Sequence, residues 1–170
     1  MEIKKAALAD LMLLQEISIE TFTDTFKEQN TEEDLNQYLE RAYNLEQLKK
    51  ELANKNSAFF FLLDNKETVG YLKLNVEDAQ TESIAENAME IERIYIRKNY
   101  KRKGYGKFLL EQAERLAQKE KKKVMWLGVW EENSAALAFY TAREFVHTSS
   151  HSFFMGEDEQ TDFILTKRLI

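Results

Sequence analysis

The sequence predicts an α/β protein, a mixed sheet of about seven strands with helices packed on its faces. Three observations carry that expectation. In the second half of the chain, apolar runs of strand length alternate with amphipathic stretches of helical spacing. Hairpin-like pairs of strands flank that alternation, so the sheet is mixed rather than wholly parallel. With 170 residues, 44% of them hydrophobic, the chain is long enough for one domain, residues 1–170, to bury its own core.

The elements follow in order. Met1 to Lys5 reads as the first strand. Leu11, Leu14 and Ile17 form one stripe, which predicts a helix over Ala7 to Glu20. The chain breaks around Asn30 and restarts at TEED, where Thr31 is placed to cap first-turn amides; Asp34 takes the position usually held by Glu in a capping box. NLEQ, from Asn44, opens another short helix. AFFFLLD (58–64) is a strand, and Asn65–Lys66 turns it into TVGYLKLNV, a hairpin with an imperfect turn signal. The acidic stretch EDAQTESIAENA (77–88) is expected as a loop, and MEIERIYI (89–96) as the next strand. Tyr105 to Glu120 is helical, with Leu109, Ala113, Leu116 and Ala117 facing a sheet, and EKKK (120–123) reads as its solvated, dipole-favoured end. VMWLGVW (124–130) is a strand, followed by a short helix over 133–141. FVHTSSHSFFM and TDFILTKRLI, on either side of GEDE, predict a closing hairpin.

Composition removes several function classes. Acidic side chains number 30 against 24 basic ones, a formal charge of −6, which argues against binding nucleic acid by bulk charge. The balance would suit a cationic substrate but does not point to one. Cysteine is absent, so a disulfide scaffold, a thiolate nucleophile and cysteine-ligated metal are out. MEIKKAALAD lacks a signal-like apolar stretch, and no run approaches membrane-spanning length. The expectation is a cytoplasmic protein with neither a nucleic-acid nor a membrane partner.

KRKGYG (101–106) sits between a strand and a long helix. It lacks the P-loop spacing, and it falls short of G-x-G-x-x-G because Leu109 stands at the third glycine position. Its physics still suits an anion. Gly104 and Gly106 permit close backbone approach and unusual dihedrals, and the first amides of the following helix are unpaired. Arg102, Lys103 and Lys107 add charge at the rim. A plain glycine turn with solvated lysines fits the same letters. In NSAALAFY (133–140), Asn133 can cap a helix that carries Leu137 and Tyr140 on one face; alone, this is an ordinary short helix.

Together the two segments resemble the acyl-CoA-binding signature of the GNAT superfamily of N-acetyltransferases. That signature is a [QR]-x-x-G-x-[GA] turn at a helix head, then N-x-x-A-x-x-F-Y after the next strand. Asn133, Ala136, Phe139 and Tyr140 match the second part. SIETFTDTFKEQN, EIERIYI, WLGVWEEN and HSFFMGEDEQTD are further similar to the PaiA type of spermidine/spermine N-acetyltransferase, a likeness spanning nearly the whole chain. There are two departures: Lys101 stands where the family has Gln or Arg, and Glu144 stands where a glycine commonly precedes the phenylalanine, here Phe145.

The resemblance implies a mostly antiparallel GNAT-like sheet whose central parallel strand pair splays to admit acetyl-CoA, with no metal. The pyrophosphate would lie over the turn from Lys101, Arg102 and Lys103 through Gly104, Tyr105 and Gly106 to Lys107. The pantetheine arm would run along the backbone of Ile94, Tyr95 and Ile96, with Asn133 on its other side. A neutral amine would attack the thioester directly, the amide near Ile94 stabilising the oxyanion and Tyr140 protonating the departing thiolate. Tyr140 as a core residue closing its helix on the sheet is the plainer reading.

Glu90 and Glu92 share a face by strand parity and are the local candidates for deprotonating the amine, directly or through water. They equally suit holding a cation or pairing Arg93, and a water chain to bulk would need neither. His147 and His151, four apart in a strand, share a face on the same count and read as surface or pocket histidines rather than zinc ligands. Phe22 and Phe26 fit either an acceptor wall or the core, and Glu77, Asp78 and Glu82 would bring acidity to an entrance. The expected partner is a small-molecule amine, a polyamine such as spermidine foremost, with a homodimer left open. Two alternatives stand beside it: acetylation of another small amine or a protein N-terminus, and a regulatory module that binds acyl-CoA without transfer.

Overall fold

The computed structural model describes residues 1–169. The chain runs β1 (Glu2–Lys5), α1 (Leu11–Phe26), α2 (Glu32–Tyr43), α3 (Leu45–Ala53), β2 (Ser57–Asp64), β3 (Glu67–Val76) and β4 (Ala88–Ile96). It continues through α4 (Tyr105–Lys119), β5 (Val124–Trp130), α5 (Ser134–Thr141), β6 (Val146–Met155) and β7 (Asp158–Arg168). The strands form one sheet ordered β1-β2-β3-β4-β5-β7-β6, and β4 with β5 is its parallel pair among the described residues. The α/β class, the mixed sheet and the splayed pair agree with the expectation. Ile170, at the end of the expected last strand, lies outside the described residues.

Alternation along the strands builds two large cores and a smaller cluster of Ala88, Trp126 and Ile164. Met125, Leu127 and Val129 of β5 pack with Leu109, Leu110, Ala113 and Ala117 of α4 and with Tyr140 of α5. On the other face, Phe59, Phe61 and Tyr71 meet Leu14, Ile17, Phe22 and Phe26 of α1 together with Leu35 and Leu48. Sheet order and helix placement therefore follow from which side chains each element has to bury.

Caps set most helix starts. Thr31 Oγ1 accepts from Asp34 N at 3.1 Å, and Asn44 Oδ1 accepts from Gln47 N at 2.8 Å. The first helix differs from the sequence expectation. The Asp10 carboxylate accepts from Ala7 N at 2.9 Å and winds Leu8–Asp10 into a 3₁₀ turn, so α1 starts at Leu11. It then runs past Glu20 to Phe26, because Phe22 and Phe26 continue the buried stripe. Asn65 and Lys66 both adopt positive φ, 50° and 67°, as a two-residue hairpin turn requires. EKKK is not wholly solvated: Lys122 is buried and pairs with Glu77 at 2.7 Å. GEDE is a shorter turn than expected, since Asp158 already pairs with Met155.

Three bulges shift the register. In β2–β3, Leu62 pairs Gly70 and Leu63 pairs Thr68, which leaves Val69 as the extra residue. In β3–β4, Lys73 pairs Arg93 but Leu74 pairs Ile91, which leaves Glu92 as the extra residue. In β6–β7, His147 pairs Leu165 and Ser149 pairs Ile164, which leaves Thr148. An extra residue inverts strand parity beyond it. His147 and His151 therefore lie on opposite faces, correcting the shared face expected from their spacing; His147 stacks on Phe163 at 4.1 Å.

Candidate active site

The parallel ladder is short. It runs from Ala88↔Val124 to Ile91↔Leu127 and stops where the bulge begins, at Glu92. Beyond that point β4 stays with β3 as far as Ile96↔Gly70, while β5 stays with β7 as far as Trp130↔Asp162, so the two strands part. Arg97 N donates to Val69 O at 2.8 Å. Alternation then turns the backbone groups of Tyr95 toward β3 and those of Ile94 and Ile96 toward the gap. Tyr95 also sends its ring to the opposite face, stacked on Tyr71 at 5.9 Å. Gly70 allows the close approach of β3 to this edge, since a Cβ there would stand 2.6 Å from Tyr95 O.

At the head of α4, Gly104 has φ +87°, the left-handed region, and a Cβ added there would meet no atom within 4 Å. The first helical bond is Phe108 N to Gly104 O at 3.1 Å, so the amides of Tyr105, Gly106 and Lys107 remain without helical partners. Gly106 differs from the expectation of an unusual dihedral. It is a regular residue of α4, and a Cβ there would rest 3.7 Å from the Phe139 ring. Tyr105 turns aside, its hydroxyl on Asp64. Lys101, Arg102, Lys103 and Lys107 are exposed, and among the described residues none of them is ion-paired.

Across the gap, Asn133 Oδ1 caps α5 by accepting from Ala136 N at 3.2 Å, which leaves its amide nitrogen available. Tyr140 is buried between the rings of Phe139 and Phe145, at 5.1 and 5.6 Å. Burial raises its phenol above the usual tyrosine range, with Arg143 pulling it back only in part. The helix ends with Phe145 N donating to Tyr140 O and Glu144 N to Thr141 O, both at 3.1 Å, and Glu144 takes φ 71°. This paired ending places a left-handed residue at 144, a conformation that glycine adopts at the least cost.

The α1 face of β4 carries the carboxylates. Glu92 accepts from Lys73 Nζ and Asn75 Nδ2, each at 2.8 Å, and pairs with Arg93 at 3.0 Å. Burial pushes its carboxyl up, but Arg93 and Lys73 outweigh that and hold it below the usual range. Glu90 accepts from Thr81 N at 2.8 Å, Thr81 Oγ1 at 2.6 Å and Asn75 at 3.0 Å. Those bonds do not offset its burial, and its carboxyl is raised. Glu51 joins the network through Lys73 at 2.7 Å and Arg93 at 2.8 Å. A cleft of about 460 Å³, lined by Arg41, Gln47, Glu51, Lys73, Glu92 and Arg93, opens over it.

Parity brought out Glu90 and Glu92 but not their partners. Lys73 and Asn75 are polar residues at inward positions of the apolar run TVGYLKLNV, a signal that was legible. Glu51 gave no such signal. Phe22 and Phe26 are buried in the α1–α2 core, with Tyr38 stacked on Phe22 at 4.4 Å. Of the loop acids, Glu77 is taken by Lys122, Asp78 accepts from Asn56, and Glu82 reaches His151.

Residues 14–145 match the acetyltransferase (GNAT) family. The chain belongs to that family. This GNAT chain is 47% identical, over 91% of its length and 89% of the relative's, to an uncharacterized N-acetyltransferase in the pepI 3′ region of Lactobacillus delbrueckii subsp. lactis. It is 26% identical to the spermidine N(1)-acetyltransferase of Thermoplasma acidophilum, over 98% of this chain and 96% of that protein. A crystal structure of the PaiA N-acetyltransferase from the same organism, in complex with coenzyme A, superposes with a TM-score of 0.80 over 98% of both chains. The ribosomal-protein-S18-alanine N-acetyltransferase of Escherichia coli shares the fold at 15% identity, with a TM-score of 0.72 over 99% of this chain and 93% of that one. This GNAT chain is an acetyl-CoA-dependent acetyltransferase acting on an amine, related to the PaiA branch. Among the described residues no helix is long and apolar enough to cross a membrane.

Proposed function

We propose that the protein transfers the acetyl group of acetyl-CoA to a primary amine of a polyamine such as spermidine or spermine. The observation that carries the substrate class is the likeness to a spermidine acetyltransferase over 98% of this chain. A second feature supports it. Glu16, Glu20 and Asp24 line a cleft of about 470 Å³ beside Arg97 and Tyr100, one carboxylate per four residues of α1. At about 6 Å of helix rise per step, such a row complements a linear chain of ammonium groups. Glu20 is partly engaged by Arg97 at 3.1 Å.

Acetyl-CoA is the acetyl donor and supplies the activated thioester. The open backbone groups of Ile94 and Ile96 suit its pantetheine arm, and the Asn133 amide suits the same arm from the other side. The unpaired amides from Tyr105 to Lys107, with the free cations at 101, 102, 103 and 107, suit its pyrophosphate. The amide near Ile94 would hold the developing oxyanion. Tyr140 hydrogen-bonds the departing sulfur and delivers its proton as the C–S bond breaks. Of the β4 carboxylates, Glu90 is the more basic, because Lys73 and Arg93 hold Glu92 ionised. Steady-state rates with spermidine, spermine, lysine and an aminoglycoside at one pH test the substrate class. Polyamines are expected to rank first; if they rank last, that class is wrong.

A further inference from the structure

Removing a proton from the acceptor ammonium is a task to which the β4 carboxylates are poorly suited. Both oxygens of Glu90 already accept hydrogen bonds, and Glu92 is fixed by two cations and an amide. The same face of the sheet holds another group. His151 leans from β6 across β7 onto β5, where its Cε1 lies 3.7 Å from the point a Cβ on Gly128 would occupy. Asp162 Oδ2 lies 3.4 Å from that point, so a larger residue at 128 would press on both. Gly128 is the first β5 residue past the last parallel pair, Ile91↔Leu127, so the imidazole stands at the mouth of the gap.

Two carboxylates frame the ring. Glu82, from the loop between β3 and β4, binds Nδ1, and Asp162 of β7 faces Nε2 at 3.4 Å. The loop is itself tied down: Thr81 donates to Glu90, and Gln80 accepts from Trp126 Nε1 at 2.8 Å. The His151 side chain is 27% exposed, open to an amine approaching from this face.

We propose that His151 takes the proton of the acceptor ammonium, with Glu82 fixing the Nδ1–H tautomer and Asp162 receiving the Nε2–H of the imidazolium. This rests on the acetyl-transfer reading. The ammonium gives a proton to Nε2, and the freed electron pair forms the C–N bond to the thioester carbon. The C–S bond breaks. The second proton shed by nitrogen balances the one taken up by sulfur, and His151 returns its proton to water. An imidazole suits this exchange near neutral pH, and a carboxylate on one ring nitrogen selects the other as base.

The test follows thiol release from acetyl-CoA with spermidine and a set of simple amines, from neutral to alkaline pH, in the full chain. H151Q should lower kcat/KM about 10²-fold near neutrality and shift the acidic limb to the alkaline range where the amine itself deprotonates. The deficit should narrow as the amine loses its proton unaided. Coenzyme A affinity should be unchanged by calorimetry, and added imidazole should restore part of the rate to H151A. E82Q, in an exposed loop, should keep the fold and lose less rate than H151Q, with the deficit again narrowing at alkaline pH; it decides the matter if H151Q fails to fold. Wild-type rates with an unmoved limb in H151Q, or a limb shifted only in E90Q, overturn the proposal. A wild-type protein that binds coenzyme A yet acetylates no amine overturns the acetyl-transfer reading as well, a result distinct from loss of His151 dependence alone.

Discussion

Glu144 holds a left-handed dihedral, φ 71°, that the ending of α5 demands. An L-residue there costs roughly 1–2 kcal/mol, part of which glycine would return as unfolded-chain entropy. E144G is therefore expected to stabilise the protein by about 0.5–1 kcal/mol in urea unfolding. Tyr140 raises a different question. A phenol raised by burial is a weaker acid, so the proton delivery proposed for it would run late, after a hydrogen bond to the departing sulfur. Y140F should keep coenzyme A affinity and lose about 10- to 10²-fold in turnover, at or below the low end for general acid catalysis. Any basic limb that Tyr140 contributes to the rate profile lies above the ordinary tyrosine range. Normal turnover in Y140F would leave the residue a core tyrosine.

At the scale of elements, the head of α4 separates folding from binding. A Cβ at Gly104 would meet nothing within 4 Å, so G104D should cost the fold only about 1–2 kcal/mol of backbone strain. Placing a carboxylate among the amides proposed to hold the phosphate should cost about 2–5 kcal/mol of coenzyme A affinity. Urea unfolding and calorimetry on the same sample read the two costs; equal affinity in mutant and wild type would unseat the turn as the phosphate site. The unpaired amides and the left-handed glycine at this helix head were legible because they depend on local backbone chemistry. The caps at Thr31, Asn44 and Asn133 were legible for the same reason. The acceptor face was not. Lys73 stands out as a polar residue in an apolar strand, but its partners Glu92 of β4 and Glu51 of α3 are distant in sequence, and no local pattern pairs them. Nor do bulges show in letters, since the twist of neighbouring strands decides them; hence the misplaced pairing of His147 with His151.

For the whole molecule, the buried carboxylates pull stability in opposite directions with pH. Burial pushes Glu51 and Glu92 up, but Arg93 and Lys73 hold both below the unfolded value. Their contribution is present above that value and is lost as pH falls through their folded pKa. Glu90 and Asp162 are raised, chiefly by burial, so the folded state holds their protons longer and stability declines as pH rises through that window. Unfolding free energy should therefore peak on the acid side of neutrality. Urea titrations at a series of pH values should show the peak, and E90Q should flatten its alkaline slope; a slope unchanged in E90Q would remove Glu90 from the account.

The bulge at Glu92 has a further consequence. A strand that counts one residue too many has two phases, one before the slip and one after. Met89 and Ile91 keep step with the first, Ile94 and Ile96 with the second. Deleting that single position would bring the strand back into step and let β4 and β5 zip together. The sheet would then be better paired, and the opening proposed for the acetyl donor would be gone.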